Sequence, residues 1–149
     1  MSDDLSQQCA AWVLDTNILI KRTLDTEMRK RNAAILSMQQ FRTLIIIKRG
    51  NGVSLSTVSE HLGATISSAS KLVDGMVELG LVTRETAPDD RRKLVLAATE
   101  AGTAAVDSMH NEALACLAEK LASLTTSECA MIKLAMDLLQ TLFVQARTT

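Results

Sequence analysis

Tyrosine is absent from this chain, and the other ring-bearing residues are nearly so: one proline, one tryptophan and two phenylalanines in 149 residues. A single proline leaves long helices unbroken, since proline removes a helical N–H and clashes with the preceding turn. With 2% aromatic and 47% hydrophobic residues, the core has to be built from Ala, Leu and Met, a mainly helical composition. Cysteine is scarce and odd in number. Cys9, Cys116 and Cys129 lack metal-type spacing, so no disulfide framework and no zinc site is expected, and a reducing, cytoplasmic setting fits. Only two histidines occur: His61, for which a polar position or a phosphate contact is expected, and His110, with no nearby carboxylate or cysteine in a recognisable ligand spacing. There is no glycine-rich phosphate loop, no Gly-x-Ser-x-Gly and no Cys-x-x-Cys. An enzyme is therefore not expected, nor a catalytic residue, a metal or a cofactor. Long apolar runs are missing as well: Leu44 to Ile47 is far short of the roughly 20 residues a bilayer span needs. Asp3 and Asp4, with no basic stretch ahead of an apolar one, do not read as a secretory signal.

What is present centres on residues 54 to 98. Ser54 is a good N-cap with Thr57 three residues on, and Leu55, Val58 and Leu62 share one face. Gly63 stands where a helix end wants the left-handed conformation. Thr65 caps a second helix in which Ile66, Ala69, Val73, Met76 and Val77 recur at helical spacing and are expected to face inward. The opposite face carries Ser67, Ser68, Lys71, Gly75 and Glu78. Gly80 ends that run. Small hydroxyls and one cation on the first two turns suit a helix lying in a major groove, because bulky side chains would hold its backbone away. A solvated helix face is the plain alternative.

The next stretch shifts that balance. Val82-Thr-Arg-Glu85 and Lys93-Leu-Val-Leu96 can pair as a hairpin around Pro88, Asp89 and Asp90, with Arg91, Arg92 and Lys93 at or beside its tip. A basic tip beside such a helix suits phosphates or a narrow minor groove, whose negative potential attracts arginine. Helix, tight turn, helix and hairpin together make a winged helix-turn-helix, a DNA-reading device. From Arg42 to Lys93 there are eight Lys+Arg against six Asp+Glu, so this segment is net +2 and the remainder net −3.

On either side the chain reads as helix. Leu5 to about Arg29 carries Cys9, Trp12, Val13, Leu19, Ile20, Leu24 and Met28 as a broad apolar stripe, and Met28 to Asn32 makes a basic link. Ser37 with Gln40 is a capping box for a helix through Phe41, Leu44, Ile45 and Ile47. Thr99 opens a helix to about Leu121 with Val106, Met109, Ala113 and Leu117 on one side. Thr125 with Glu128 is a second capping box, opening a last helix through Ile132, Met136, Leu139 and Phe143. Long apolar helices at both ends cannot bury their faces on a small winged helix, and a symmetric homodimer is the economical answer. The expected organisation is a helical dimerisation region from residues 1–32 and 99–149, and a winged helix-turn-helix DNA-binding region over 33–98.

The order Leu62-Gly63, then Ser70-Lys71-Leu72-Val73-Asp74, Gly80-Leu81-Val82, Arg84, Asp90-Arg91-Arg92 and Thr99-Glu100-Ala101-Gly102 resembles the MarR family of bacterial winged-helix transcription regulators. Asp90 and Arg92, the Asp-x-Arg of the wing, are the most specific part. Two positions depart from the family pattern: Gly75 stands where a basic residue is usual, and Ala98-Thr99 where Leu-Thr is usual. The resemblance implies a homodimeric repressor on a pseudo-palindromic operator, with Arg92 in the minor groove and Asp90 bracing the wing. The DNA-contacting set is then Thr65, Ser67, Ser68, Ser70, Lys71, Arg84, Asp90, Arg91, Arg92 and Lys93. It also implies release by a small aromatic or phenolic effector, for which Trp12, Met38, Phe41, Arg42 and Met109 are the expected lining. Some family members sense peroxide through a cysteine on the first helix, near the place of Cys9, but brace it with tyrosines, which this chain lacks. A winged helix that binds protein rather than DNA is the remaining alternative, and the three basic residues of the wing favour nucleic acid.

Overall fold

A computed structural model describes residues 2–31, 36–50, 52–87, 89–90 and 94–145. Six helices and one antiparallel hairpin follow in chain order: α1 (Ser2–Lys30), α2 (Met38–Gly50), α3 (Leu55–Leu62), α4 (Ile66–Glu78), β1 (Val82–Thr86), β2 (Leu94–Ala98), α5 (Glu100–Leu121) and α6 (Thr126–Gln145). The chain forms two compact units, Met1–Ala113 and Leu114–Thr149, the boundary falling within α5.

The first unit is organised by helix caps. The Ser37 N–H donates to Gln40 Oε1 at 2.8 Å and the Gln40 N–H to Ser37 Oγ at 3.2 Å, so the box that opens α2 is reciprocal. Ser54 Oγ accepts from the Thr57 N–H at the start of α3, and Thr65 Oγ1 from the Ser68 N–H at the start of α4. Each cap satisfies a donor the helix cannot satisfy itself, worth about 1 kcal/mol. Between α3 and α4 stands Gly63 at φ 63°, the left-handed residue that ends a helix at low cost. Its N–H reaches the Glu60 carbonyl and that of Ala64 the Ser59 carbonyl, closing the tight turn.

Packing follows from these ends. Leu44 and Ile47 of α2, Val58 of α3, Val73 and Met76 of α4, Val82 of β1, Leu96 of β2 and Val106 and Met109 of α5 are buried in one apolar cluster, joined by Met28 of α1. Fully burying a side chain of this size stabilises by about 1.5–3 kcal/mol. The two buried hydroxyls are satisfied within their own helices, Thr43 by the Gln39 carbonyl and Ser59 by the Ser56 carbonyl.

The hairpin runs further than its apolar alternation indicates, pairing Val82 with Ala98 and Thr86 with Leu94. Val53 adds a bridge to Leu96, with N–H to carbonyl distances of 3.2 and 2.7 Å. At the far end Thr99 locks α5 beneath the hairpin. Its hydroxyl donates to the Gly80 carbonyl at 2.6 Å and accepts from the Gly102 N–H at 3.0 Å. A Cβ at residue 102 would lie 2.1 Å from the Leu81 carbonyl oxygen, so only glycine lets these backbones meet.

One inward-facing expectation fails. Ile66 is 57% exposed. It has the angular position of Ala69 and Val73 but stands on the first turn of α4, ahead of the point where the helix crosses the core.

In the second unit, Thr125 and Glu128 exchange bonds at the start of α6: the Thr125 N–H and hydroxyl each reach Glu128 Oε2 at 2.8 Å, and the Glu128 N–H reaches Thr125 Oγ1 at 3.3 Å. The backbone bond from Thr125, then the hydroxyl bond, hold the Glu128 carboxyl below its ordinary pKa. Along α6, Met131, Leu134, Leu138, Leu142 and Phe143 are exposed. No helix among the described residues is long and apolar enough to cross a membrane.

Candidate nucleic-acid interface

The inner face of α4 is fixed by Ala69, Val73 and Met76, all buried. That orientation sends Ser67, Ser68, Lys71 and Glu78 outward, where all four are exposed. Lys71 has no ion-pair partner among the described residues. A helix held from beneath, with two hydroxyls and a cation on its first two turns, can be laid against an anionic surface without unfolding anything. Ser70 is half-buried at the edge of this face. The Thr65 hydroxyl is occupied in capping: besides accepting from the Ser68 N–H it donates to Ser68 Oγ at 2.9 Å.

Arg84 lies on β1, and its Nη2 pairs with the Asp74 carboxylate of α4. The guanidinium that the sequence offers to DNA thus ties β1 of the hairpin to α4. Asp90 is half-buried. Pro88, Arg91, Arg92 and Lys93, the turn proline and the basic tip, lie outside the described residues.

Two features escaped the sequence. Ile66 places an exposed aliphatic side chain on the first turn of α4, beside Ser67, where it can meet a thymine methyl; its position directly after the N-cap was the available signal. Gln39 stands with Arg42 on the exposed side of α2, and both border a small cavity of about 110 Å³ completed by Leu62, Ala64, Ser68, Ala69 and Leu72. Nothing local marks Gln39, since the cavity needs three helices.

The residues offered as effector lining stand at different depths. Trp12 is 60% exposed, Met38 is exposed, Phe41 is packed against the core and Met109 lies within it. Arg42 borders a cavity formed with α3 and α4. Among the described residues no group of three or more His, Cys, Asp or Glu side chains could hold a metal ion.

Comparison with known proteins agrees with this geometry. Residues 36–93 match the MarR family. An uncharacterized HTH-type transcriptional regulator of Bacillus subtilis, YfiV, is 29% identical over 97 residues, 64% of this chain, and the match spans 59% of that relative's length. Among solved structures, RV1404 from Mycobacterium tuberculosis is similar with a TM-score of 0.76 at 21% identity, covering 93% of this chain and 92% of its own. Wild-type MarR from E. coli superposes with a TM-score of 0.70 at 19% identity, covering 87% of this chain and 95% of its own. At those identities the structures show the fold, and the segment matched by the family holds α2, α3, α4 and β1. Over residues 36–93 the chain matches the MarR family, and its fold is that of the MarR structures it resembles.

Proposed function

We propose that this chain is a transcription regulator, a homodimeric repressor that occupies a pseudo-palindromic operator and is cytoplasmic. In this reading α4 enters the major groove, where Ser67, Ser68 and Lys71 reach base edges or phosphates, and the hairpin tip enters the minor groove with Arg92, braced by Asp90. Arg91 and Lys93 add phosphate contacts beside it. The observation that carries the reading is the exposed small-polar face of α4 on a helix whose other side is anchored in the core by Ala69, Val73 and Met76.

The homodimer is supported by the apolar side chains of α1 and α6 that a single chain leaves in water, among them Leu14, Ile18, Leu134 and Leu138. A second copy covering them would set two α4 helices about one DNA turn apart, roughly 34–36 Å. Release by a small aromatic or phenolic acid is part of the proposal on family grounds. Cys9 is exposed on α1, and the chain has no tyrosine to brace its thiolate, so Cys9→Ser should leave release by oxidant and by effector unchanged.

The deciding experiment is a salt titration of duplex binding. Phosphate contacts release counterions, so affinity should fall steeply and linearly on a double-logarithmic plot. Affinity that stayed flat from low to moderate salt would replace this function with the protein-binding one.

A further inference from the structure

The described cations of residues 36–90 divide into two groups. Lys48 pairs with Asp107 and Arg84 with Asp74, while Arg42, Arg49 and Lys71 have no side-chain partner among the described residues. Arg49 sits in the last turn of α2, where the helix dipole already favours a cation. Lys71 belongs to the outward face of α4. Arg42 has neither explanation. It stands exposed on the second turn of α2, beside the 110 Å³ cavity that it shares with Gln39 and Ser68.

The chemistry of that cavity is one-sided. Its floor is apolar, from Leu62, Ala69 and Leu72, and its rim offers a guanidinium, an amide and a hydroxyl with no carboxylate among the lining side chains. The positive end of the α4 dipole opens beside it. Pockets for small organic ligands are usually about 300–1,000 Å³, so this one suits a phosphate-sized group. Ser68 is the link: it lines the cavity and also lies on the exposed face of α4. Whatever surface α4 lies against therefore also confronts Arg42.

We propose that Gln39 and Arg42 form a clasp for the sugar-phosphate backbone bounding the groove that α4 enters, a third DNA-contacting element besides α4 and the wing. The proposal rests on the DNA-binding reading above. The guanidinium would donate two N–H bonds to the non-bridging oxygens of one phosphodiester, the planar fork for which arginine is suited and lysine is not. Such a contact positions the helix in the groove and carries no base preference. It also removes Arg42 from the effector lining.

The test uses the full chain and its Arg42→Ala, Arg42→Lys and Gln39→Ala variants. Each is titrated with salt on two duplexes: one selected by the parent from random sequences, and a scrambled one. Arg42→Ala should weaken both by a similar factor, on the order of tenfold, and lower the salt slope by about one unit. Arg42→Lys should keep the slope and recover part of the affinity, Gln39→Ala should lose less, and thermal unfolding should match the parent throughout. If the parent binds with a steep salt slope and Arg42→Ala matches it on both duplexes, the clasp is overturned. A parent without salt-dependent binding overturns the DNA reading itself. An Arg42→Ala protein that binds like the parent but is no longer released by a phenolic acid overturns the clasp in favour of an effector site.

Discussion

Helices α4 and α6 carry apolar side chains at helical spacing, yet they finish in opposite conditions. In α4 the apolar face is spent within its own unit: Ala69, Val73 and Met76 are buried and hydrophilic side chains face water. In α6 apolar side chains remain in water along with the polar ones, Leu134 at 64% and Leu138 at 62% exposure. The lesson is about which contacts are optional. The outward face of α4 loses nothing in free solution, so binding there can be reversible and conditional. A row of exposed leucines costs about 25 cal/mol for each Å² left uncovered, and contiguous apolar patches of this kind mark a surface that pairs. On the proposed function, one helix serves a partner that comes and goes, the other a partner that stays.

The largest effect should come from breaking the second half of that contrast. Leu134→Lys combined with Leu138→Lys places two charges in the proposed subunit contact. Sedimentation should show monomers, and operator affinity should fall about 10²–10⁴-fold, because two linked half-sites become two separate ones. A double variant that stayed dimeric would move the subunit contact off α6. Next in size is the support under α4. Met76→Ala empties a fully buried site and should cost about 2–5 kcal/mol in denaturant unfolding. A smaller loss would mean that α4 is held from elsewhere.

The two elements proposed to read DNA, the outward face of α4 and the wing, should fail differently. Alanine at Ser67, Ser68 or Lys71 should cost about 1–3 kcal/mol on the operator where a base contact is lost, narrowing the gap to non-specific DNA. Arg92→Ala should instead weaken operator and scrambled duplex alike and lower the salt slope by about one unit. Both sets should keep the parent's oligomeric state. An Arg92→Ala protein that bound like the parent would take the wing out of the interface.

How far the sequence could be read depended on how local each signal is. Ser37 with Gln40, Ser54, Thr65 and Thr125 with Glu128 act within one turn of their own helix. All of them cap where the spacing predicted. Gly63 announced the turn for the same reason. Features that need two elements to meet were not legible. Val53 bridges Leu96 across 43 positions of sequence without any alternation to reveal it, and the Arg84–Asp74 pair requires the β1 direction to be known first. Ala97 and Ala98 continue β2 although alanine has little strand preference, because pairing with Val82 and Thr83 holds them. Ile66 has the periodicity of a core residue and lies beyond the core's edge. Periodicity gives an angle around the helix and says nothing of how far along it the neighbour extends.

Gly75 offers the smallest change and the finest test of how α4 is used. It sits inside the helix, one turn after Lys71, and does not adopt a positive φ. A Cβ built there meets nothing within 4 Å, so neither backbone geometry nor packing within the chain calls for glycine. Glycine in a helix interior costs about 0.5–1 kcal/mol relative to alanine. Gly75→Ala should therefore stabilise the protein by that amount, raising Tm by about 1–4 °C for a chain of this size. A fall in Tm would show that α4 is not regular at this point. Gly75→Arg should restore the basic residue usual in the family at the same position. The open space admits the longer side chain, and its charge should strengthen binding to operator and scrambled duplexes alike while steepening the salt slope by about one unit. If Gly75→Arg is stable but binds both duplexes as the parent does, this stretch of α4 stands away from the phosphates, and the reading face ends at Lys71.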